Sequence, residues 1–220
     1  MIKNGFHQIK QTKDASKTLY SSQFDADYHS IHGALKESLH VYIKYGLQSF
    51  DSASLSILDV GFGTGLNALL TYRKKSSDQH ISYVTLEPFP LPMKLVESLN
   101  YHETPHELSV LNDFHASQDS VPLIVSPTFR FTKYEKKVED FESKTGFDLI
   151  YYDAFGPRSQ PELWTVSIFE NLFRMMHPGG RFVTFCAQGQ MKRNLRQVGF
   201  SVESVAGPPG KREMTIATKY

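Results

Sequence analysis

Short apolar runs alternate with amphipathic stretches along most of the chain from residue 56 onward. Nearly continuous apolar runs predict buried strands, whereas apolar residues spaced three or four apart predict helices. Strands are predicted at 56–59, 81–87, 128–134, 147–153, 181–187, 201–206 and 213–219. Helices are predicted at 66–75, 91–100, 161–176 and 190–198, with an irregular segment of short helix and loop at 113–127.

This order of elements predicts an α/β fold. Alternating strands and helices are typical of a doubly wound, Rossmann-like sheet in which most strands run parallel. The last two predicted strands are joined by a short loop, so we expect them to form an antiparallel hairpin at one end of the sheet. Residues 1–50 precede the first predicted sheet strand and are rich in aromatic residues, serine and aspartate. We expect them to form a cap on the sheet domain of residues 51–220, within a single domain overall.

The composition is ordinary for a globular protein, and it excludes several classes. The net charge is +1 over 220 residues, so no global basic field indicates a nucleic-acid partner. No apolar run is long enough to cross a membrane, and the N-terminus lacks the features of an export signal. The one cysteine, Cys186, cannot form an intramolecular disulfide. These features predict a cytoplasmic protein without a membrane partner.

Three glycines at alternate positions follow the first predicted strand, in the sequence Asp-Val-Gly-Phe-Gly-Thr-Gly. Glycine allows a positive φ and brings amide N–H groups close to a ligand, so Gly61, Gly63 and Gly65 are candidates for binding a nucleotide-like cofactor. The third glycine comes one residue too early for the dinucleotide fingerprint, and no Gly-Lys-Ser/Thr follows as a P-loop requires. The remaining pattern is associated with S-adenosylmethionine, and Asp59 at the strand end is a candidate to bind one of its polar groups.

Acidic residues stand at the ends of later strands, where parallel sheets bind their ligands. Glu87 follows Gly65 by about twenty residues, the spacing at which a carboxylate accepts hydrogen bonds from ribose hydroxyls, so Glu87 is predicted to bind the adenosyl ribose. Asp140 or its neighbour Glu139 is predicted to accept from the adenine amino group, and the sequence does not choose between them. Asp153 ends the most apolar strand, and we predict that it holds an amine substrate and accepts a proton directly or through water.

The loop after Asp153 is polar and rich in proline, which suits a substrate-binding loop. Phe155 and Trp164, together with Tyr20, Phe24 and Tyr28 near the N-terminus, are candidates to stack on a base or on adenine. Core packing is the alternative role for each aromatic, and capping of the next helix is the alternative role for Asp153.

No metal site and no serine nucleophile are predicted. His102 and His106 have the helical spacing i, i+4, but Pro105 between them disfavours a regular helical metal site. The sequence Gly-x-Ser-x-Gly is absent. The acids at the strand ends are therefore the candidate catalytic groups.

Several segments spread over nearly the whole chain resemble one enzyme family. They are 19–30, 33–38, 61–67, 153–157, 161–165 and 207–214. The run Gly-Phe-Gly-Thr-Gly-Leu-Asn, the Asp-Ala-Phe segment and the terminal Lys-Arg-Glu-Met are jointly specific, whereas the glycines alone fit many methyltransferases. The chain resembles, in stand-alone form, the methyltransferase domain of the bifunctional bacterial enzyme that completes 5-methylaminomethyl-2-thiouridine at the tRNA wobble position. The fold implied is that of a class I S-adenosylmethionine-dependent methyltransferase.

The resemblance implies a reaction and several residue roles. A methyl group would pass from S-adenosylmethionine to the primary amine of 5-aminomethyl-2-thiouridine in the anticodon region of tRNA. Phe62 and Asn67 would join the glycines in binding the cofactor, and Glu37 would help the N-terminal cap to cover it. Asp153 would face the amine and contribute to the cofactor site. The residues that would lie near the tRNA phosphates are Lys211 and Arg212.

Two departures from the family bear on this expectation. The bifunctional members carry a flavin oxidase, and this sequence ends at Tyr220 without one, so the substrate is expected to arrive as the aminomethyl form, with a separate flavin oxidase as a partner. The loop after Asp153 reads Gly-Pro-Arg-Ser-Gln-Pro where bifunctional members more often have Ala-Pro-Ala-Lys-Asn-Pro, so substrate contacts are expected to differ there.

Two other activities and one non-catalytic role are alternatives. Aminopropyl transfer to a polyamine uses a similar fold, with an aspartate at a strand end near an amine, and methylation of a small-molecule amine needs the same groups. A silent adenosyl-binding or RNA-binding module would carry a broken cofactor motif, and none is visibly broken. The Lys-Arg-Glu-Met tail favours a large anionic partner. The oligomeric state is left open.

Overall fold

The computed structural model describes residues 3–4 and 6–220, which form two β-sheets. The strands of the N-terminal sheet are β1 (Lys3–Asn4), β2 (His7–Gln11), β3 (Lys17–Ser21) and β4 (Ala26–Asp27). Those of the larger sheet are β5 (Ser54–Val60), β6 (His80–Leu86), β7 (Leu123–Ser126), β8 (Phe129–Tyr134), β9 (Phe147–Tyr152), β10 (Met176–Thr184), β11 (Ser201–Ala206) and β12 (Glu213–Thr218). The α-helices are α1 (Ala34–Ser38), α2 (Leu66–Lys74), α3 (Met93–Glu97), α4 (Pro105–Ala116), α5 (Val166–Arg174) and α6 (Gly189–Val198).

The larger sheet has eight strands in the order β11-β12-β10-β9-β5-β6-β8-β7. The five central strands run parallel to one another, as the alternation of elements predicts; they are β10, β9, β5, β6 and β8. β11 and β12 form the predicted antiparallel hairpin beside β10. At the opposite edge β7 also runs antiparallel to its neighbour β8. This strand was not predicted, since residues 113–127 were expected to form a short helix and a loop. Prolines at both ends of β7 are compatible with an edge strand, because one side of its backbone has no partner strand.

The helix α4 differs most from the sequence-based expectation. It begins at Pro105, well before the segment in which a short helix was expected. The side chain of Thr104 accepts a hydrogen bond from the backbone N–H of Glu107, and Pro105 occupies the first turn, where no intrahelical N–H bond is lost. The proline therefore begins this helix and does not interrupt it.

Two boundaries near the C-terminal half also differ. The helix predicted at 161–176 is divided into a 3₁₀ turn at Pro161–Trp164 and the helix α5. The sequence His-Pro-Gly-Gly at 177–180, which lies between the predicted helix 161–176 and the predicted strand 181–187, belongs to β10, whose register with β9 shifts between Met176 and Arg181. The helix α3 is shorter than predicted, whereas α2 and α6 lie where the pattern places them.

Residues 6–49, which we refer to as the cap, lie over one face of the larger sheet. After β4, helix α1 continues into a π-helical turn at Leu39–Lys44 and a 3₁₀ turn at Leu47–Ser49. Leu19 and Val41 of the cap share a hydrophobic core with Ile57 and Tyr151 of the sheet. The opposite face of the sheet packs against α5 and α6 in a second core. The cap is thus joined to the sheet through buried apolar contacts, which stabilise its position.

Two kinds of feature are absent from the described part of the chain. No helix there is both long enough and apolar enough to cross a bilayer. No group of three His, Cys, Asp or Glu side chains is arranged there to hold a metal ion.

Candidate active site

A cavity of about 320 Å³ opens at the carboxyl ends of β5, β6 and β9. The sheet extends from β5 in both directions, and such a switch point is where doubly wound sheets bind ligands. Its walls come from the glycine turn after β5, the loops after β6 and β9, and the cap. The residues of the run 61–67 that line it are Gly61, Phe62, Gly63, Thr64, Leu66 and Asn67.

The glycine turn requires its glycines. Gly61, Gly63 and Gly65 have φ angles of +98°, +51° and +76°, which side-chain-bearing residues rarely adopt. A Cβ on Gly61 would lie 2.7 Å from the carbonyl oxygen of Asp153, so the turn approaches the end of β9 closely. Gly65 does not line the cavity; a Cβ there would meet His115 at 2.9 Å, so its place is in the packing of the turn against α4.

Glu87 lies beside this turn. Its Oε2 accepts a hydrogen bond from the N–H of Gly63 at 2.7 Å, and its Oε1 accepts from the N–H of Phe89 at 2.9 Å. Burial raises the pKa of Glu87 to about 7, although these two hydrogen bonds oppose the rise. The carboxylate therefore stands at the cavity wall with its remaining lone pairs available to hydroxyl donors.

Asp59 is placed differently from the expectation that it binds the cofactor. It is fully buried and does not line the cavity. Its Oδ2 accepts hydrogen bonds from the Tyr83 hydroxyl at 2.8 Å and from the Thr85 hydroxyl at 3.1 Å. Burial and the nearby Asp153 raise the pKa of Asp59 well above its usual value. Asp59 is thus buried against side chains of β6 and has no direct access to the cavity.

Asp153 lines the cavity at the end of β9, with both carboxylate oxygens held by neutral donors. The hydroxyl of Tyr42 donates to Oδ1 at 2.7 Å, and Nδ2 of Asn67 donates to Oδ2 at 2.8 Å. Burial raises the pKa of Asp153 to about 7, and both hydrogen bonds oppose the rise. A carboxyl group with such a pKa exchanges a proton readily near neutral pH.

Aromatic rings of the cap form one wall of the cavity with the loop after β9. Phe24 stacks on Phe155 with ring centroids 4.7 Å apart, and Tyr28 meets Phe155 edge-on at 4.9 Å. Phe89, which is 48% exposed, extends this wall to the cavity mouth. Phe62 also touches the cavity, but its ring packs inward on His115 at 4.7 Å.

Trp164 lies outside the cavity, so the structure does not bring it together with Phe155 as a stacking surface. It is 4% exposed and packs edge-on against Tyr152. Its Nε1 donates a hydrogen bond to the carbonyl oxygen of Phe155 at 2.9 Å. Trp164 therefore holds the substrate loop in place from the core side.

The neighbours Glu139 and Asp140 are separated by the structure. Both lie in a 3₁₀ turn at Val138–Asp140, in which successive side chains point about 120° apart. Glu139 and Val138 line the cavity, whereas Asp140 does not. Of the two candidates for the adenine amino group, Glu139 is the one with access.

Glu37 and Lys211 form an ion pair between the cap and the C-terminal hairpin. Lys211 Nζ lies 2.7 Å from Oε2 of Glu37, whose side chain is 7% exposed, and the same ammonium lies 3.9 Å from the ring centre of Phe185. The N–H of Ser30 donates to the other Glu37 oxygen at 2.9 Å. Glu37 does not line the cavity, so its contribution to covering it is indirect, through the hairpin.

A second, more open cavity of about 420 Å³ adjoins the first. Phe185 and Gly156 line both cavities, so the two meet at these residues, whereas Asp153 lines only the first. The cations that line the second cavity are Arg158, Lys211 and Arg212. Glu213 also lines the second cavity, so the first, less open cavity adjoins a surface that carries three cations and one acid.

Tyr42 and Phe89 are among the site residues that sequence reasoning missed. Tyr42 lies in the cap, 111 residues from Asp153 along the chain, and no motif connects the two. Phe89 follows Glu87 closely, but its exposure depends on the loop conformation. An apolar helical stretch containing a tyrosine, Leu39–Lys44, is the only signal for the first, and it does not distinguish a site residue from a core residue.

Comparisons with known proteins agree with this geometry. A family described as "S-adenosyl-L-methionine-dependent methyltransferase" matches residues 98–220. The "tRNA 5-methylaminomethyl-2-thiouridine biosynthesis bifunctional protein MnmC" of Marinomonas sp. (strain MWYL1) is 30% identical over 218 residues, covering 90% of this chain and 32% of the relative. The protein of the same name from Cupriavidus metallidurans is 31% identical over 216 residues, covering 91% and 32%. The chain thus spans about a third of the length of these relatives.

The fold has a counterpart among solved structures. The crystal structure of MNMC2 from Aquifex aeolicus superposes with a TM-score of 0.77 at 22% identity, covering 98% of this chain and 71% of that one. This match establishes the fold, and the family match extends over more than half of the chain. The Rossmann-like sheet and the cofactor class predicted from the glycine turn are therefore confirmed. The chain belongs to the family of S-adenosyl-L-methionine-dependent methyltransferases.

Proposed function

We propose that this chain transfers a methyl group to the primary amine of 5-aminomethyl-2-thiouridine at the wobble position of tRNA. The names of its relatives support the choice of acceptor, since both are proteins of tRNA 5-methylaminomethyl-2-thiouridine biosynthesis. Those relatives are bifunctional and about three times as long as this chain, so only the methylation step is proposed for it. The aminomethyl substrate would then come from an oxidative step carried out by another catalytic unit, such as a separate flavin oxidase.

One observation carries the proposal: Asp153 lines the first cavity, and Gly156, three residues later in the same loop, lines both this cavity and the basic one. A cofactor held by the glycine turn would lie on one side of this carboxylate. A nucleotide entering from the basic surface would lie on the other. The chain thus offers a carboxylate to an acceptor group near the junction of two compartments, which is what transfer between a small donor and a large polyanion requires.

The cavity residues fit S-adenosylmethionine. The glycine turn leaves no room for a Cβ at Gly61, and Asn67 Oδ1 is buried without a hydrogen-bond partner among the described residues. Glu87 would accept from the ribose hydroxyls, Glu139 from the adenine amino group, and Asn67 would satisfy its free oxygen on the amino-acid part of the cofactor. When bound, the cofactor supplies an electrophilic methyl group on a sulfonium.

The chain's own contribution to the reaction is to control the amine. A free alkyl amine titrates near pH 10, about the value of a lysine side chain, so the site must favour the neutral form. The apolar surroundings disfavour the ammonium, and Asp153 orients the N–H groups so that the nitrogen lone pair faces away from it. Asp153 then stabilises the positive charge that develops on nitrogen, until the proton passes to it or to water.

The basic cavity would receive the anticodon region. Arg158 and Arg212 stand on its rim, and exposed arginines of this kind bind phosphate oxygens. Lys211 is ion-paired with Glu37, so its charge contributes mainly to the electrostatic field at the entrance of the basic cavity. Phe185, beneath the lysine, offers an apolar surface for a base.

Nucleoside mass spectrometry of tRNA from cells lacking this chain tests the proposal. Accumulation of 5-aminomethyl-2-thiouridine, reversed by the wild-type chain, is the expected result. The matched control is complementation with Asp153→Asn, which should leave the aminomethyl nucleoside in place. An unchanged wobble profile in the deletion strain would refute the proposed acceptor.

A further inference from the structure

We propose that Tyr42 is a positioning residue for Asp153, so that the cap supplies part of the catalytic machinery in addition to a cover. The proposal rests on the proposed function, because it assigns Asp153 to the acceptor amine. The geometry that carries it is the hydrogen bond of 2.7 Å from the Tyr42 hydroxyl to Oδ1 of Asp153.

Tyr42 and Asn67 fix the carboxylate from two sides. Tyr42 is 1% exposed, and Asn67 lies at the start of α2, so neither donor is free to move with solvent. Each donates to a different oxygen of Asp153, at 2.7 and 2.8 Å. Two anchored donors on two oxygens prevent rotation of the carboxyl group about its terminal bond. The plane of the carboxylate, and with it the direction of its remaining lone pairs, is therefore set by the cap and α2 together.

The backbone around Tyr42 is specialised for this placement. The turn Leu39–Lys44 is π-helical, a conformation that is rare and often occurs at functional sites. Its wider spacing buries Val41, Tyr42 and Ile43 in succession, whereas three adjacent residues of an ordinary surface helix would not all face the core. Gly46 permits the close return of the chain, because a Cβ there would lie 2.3 Å from the carbonyl oxygen of Tyr42.

The electrostatic setting gives the hydroxyl a measurable effect. The charged and titratable groups that act on Asp153 or respond to it are Glu37 of α1, Asp59 of β5, Tyr83 of β6 and Lys211 of the hairpin. Glu37 raises the pKa of Asp153, Lys211 lowers it, and the Tyr42 and Asn67 donors lower it by stabilising the ionised form. Burial keeps the pKa of Tyr42 well above its usual value, so its hydroxyl remains a donor at all relevant pH values. Removing the hydroxyl must therefore raise the pKa of Asp153.

The first test is the pH dependence of methyl transfer by Tyr42→Phe. A hydrogen bond to a charged group contributes enough to shift a pKa by about one unit, from about 7 towards about 8. The ionised fraction at pH 7, and with it kcat, is expected to fall about fivefold, and the loss should disappear above about pH 9. A loss that is the same at every pH would mean a merely structural role and would overturn the proposal.

The second test needs neither cofactor nor tRNA. The carboxyl carbon of Asp153, assigned by its absence in Asp153→Asn, is titrated by NMR in protein labelled with ¹³C-aspartate. Tyr42→Phe should raise the measured pKa, and Tyr151→Phe should not. Tyr151 is the matched control, since it is equally buried and contacts Tyr42, but its hydroxyl lies 3.3 Å from that of Thr71.

The two tests separate the inference from the function on which it rests. If the wild-type chain does not methylate tRNA, the proposed acceptor fails, while the titration still decides whether Tyr42 controls the carboxyl group. If the wild-type chain is active and Tyr42→Phe titrates like the wild type, the role of Tyr42 is overturned and the acceptor stands. Site-specific 3-fluorotyrosine at position 42 keeps the ring and makes the hydroxyl a stronger donor, so it should lower the pKa of Asp153. An unchanged pKa with this residue would also overturn the role.

Discussion

The two sides of the cavity are built in different ways. On the cofactor side, the residues in contact are close in sequence. A hydrogen bond from Gly63 to Glu87 joins the turn to the end of the next strand, and these two residues are 24 positions apart. On the acceptor side, Tyr42 and Asp153 are 111 residues apart, and Glu37 and Lys211 are 174 apart. The glycine turn and Glu87 belong to a single strand–helix–strand unit, whereas the contacts on the acceptor side require the cap, the sheet and the hairpin together.

This difference separates two kinds of chemistry. A local turn that presents backbone N–H groups can serve many reactions with the same cofactor. The proposed acceptor side would decide which group is methylated, and it is made of parts that are far apart in the sequence. Substitutions on the two sides should therefore affect different measurements.

Asp153→Asn should have the largest effect on turnover. The substitution keeps the shape but removes the negative charge, so methyl transfer to tRNA should fall by about 100-fold or more, as expected for loss of a group that handles a proton. Binding of S-adenosylmethionine, measured by isothermal titration calorimetry, should change much less. Asp148→Asn at the opposite end of β9 is the control, and its turnover should stay near the wild-type value. Wild-type turnover by Asp153→Asn would remove the aspartate from the mechanism.

Gly61→Ala should damage the cofactor side. The alanine would have to adopt a φ of +98° with its Cβ 2.7 Å from the Asp153 carbonyl oxygen, a strain of about 1–3 kcal/mol for the backbone alone. Cofactor affinity should fall by about tenfold or more, since about 1.4 kcal/mol corresponds to a factor of ten. Gly189→Ala at the start of α6 provides the comparison, because its nearest contact would be the end of Arg193 at 3.4 Å. Equal affinities for the two variants would contradict the role of the turn.

The Glu37–Lys211 ion pair should show the smallest effect. A double-mutant cycle with Glu37→Gln and Lys211→Met should give a coupling free energy of unfolding of about 1 kcal/mol, because the lysine is partly exposed and its charge is screened. Lys211→Met should destabilise more than Glu37→Gln, since it leaves a buried carboxylate without its partner. Urea unfolding measures both. Additive effects would mean that the pair does not join the cap to the hairpin.

The architecture of the sheet could be predicted from the sequence because its strands are short, apolar and separated by periodic helices. The central strand β9, for example, is apolar on both faces, as a strand covered on both sides must be. The helix α4 was missed because Pro105 has opposite meanings at the start and in the middle of a helix, and the Thr104 cap decides between them only when it is considered. The strands of the N-terminal sheet are two to five residues long, and their pairing depends on turns that the hydrophobic pattern does not specify.

The site was predictable to the extent that it is local. The glycines, Glu87 and Asp153 stand at strand ends, and strand ends can be identified from the pattern. The burial of Asp59 depends on Tyr83 and Thr85 of the neighbouring strand, and the choice of Glu139 over Asp140 depends on the rotation of one 3₁₀ turn. These details are tertiary, so the linear sequence contains no signal for them.

The way in which Asp153 is held also limits the product. A carboxylate accepts about four hydrogen bonds, and Tyr42 and Asn67 use one on each oxygen, so about two remain. A neutral primary amine brings two N–H groups and fills both, while its lone pair stays free for the methyl group. The secondary amine that results has a single N–H and would leave one buried acceptor empty, which is costly. Under the proposed function, counting donors against acceptors at this one carboxylate predicts release after a single methylation.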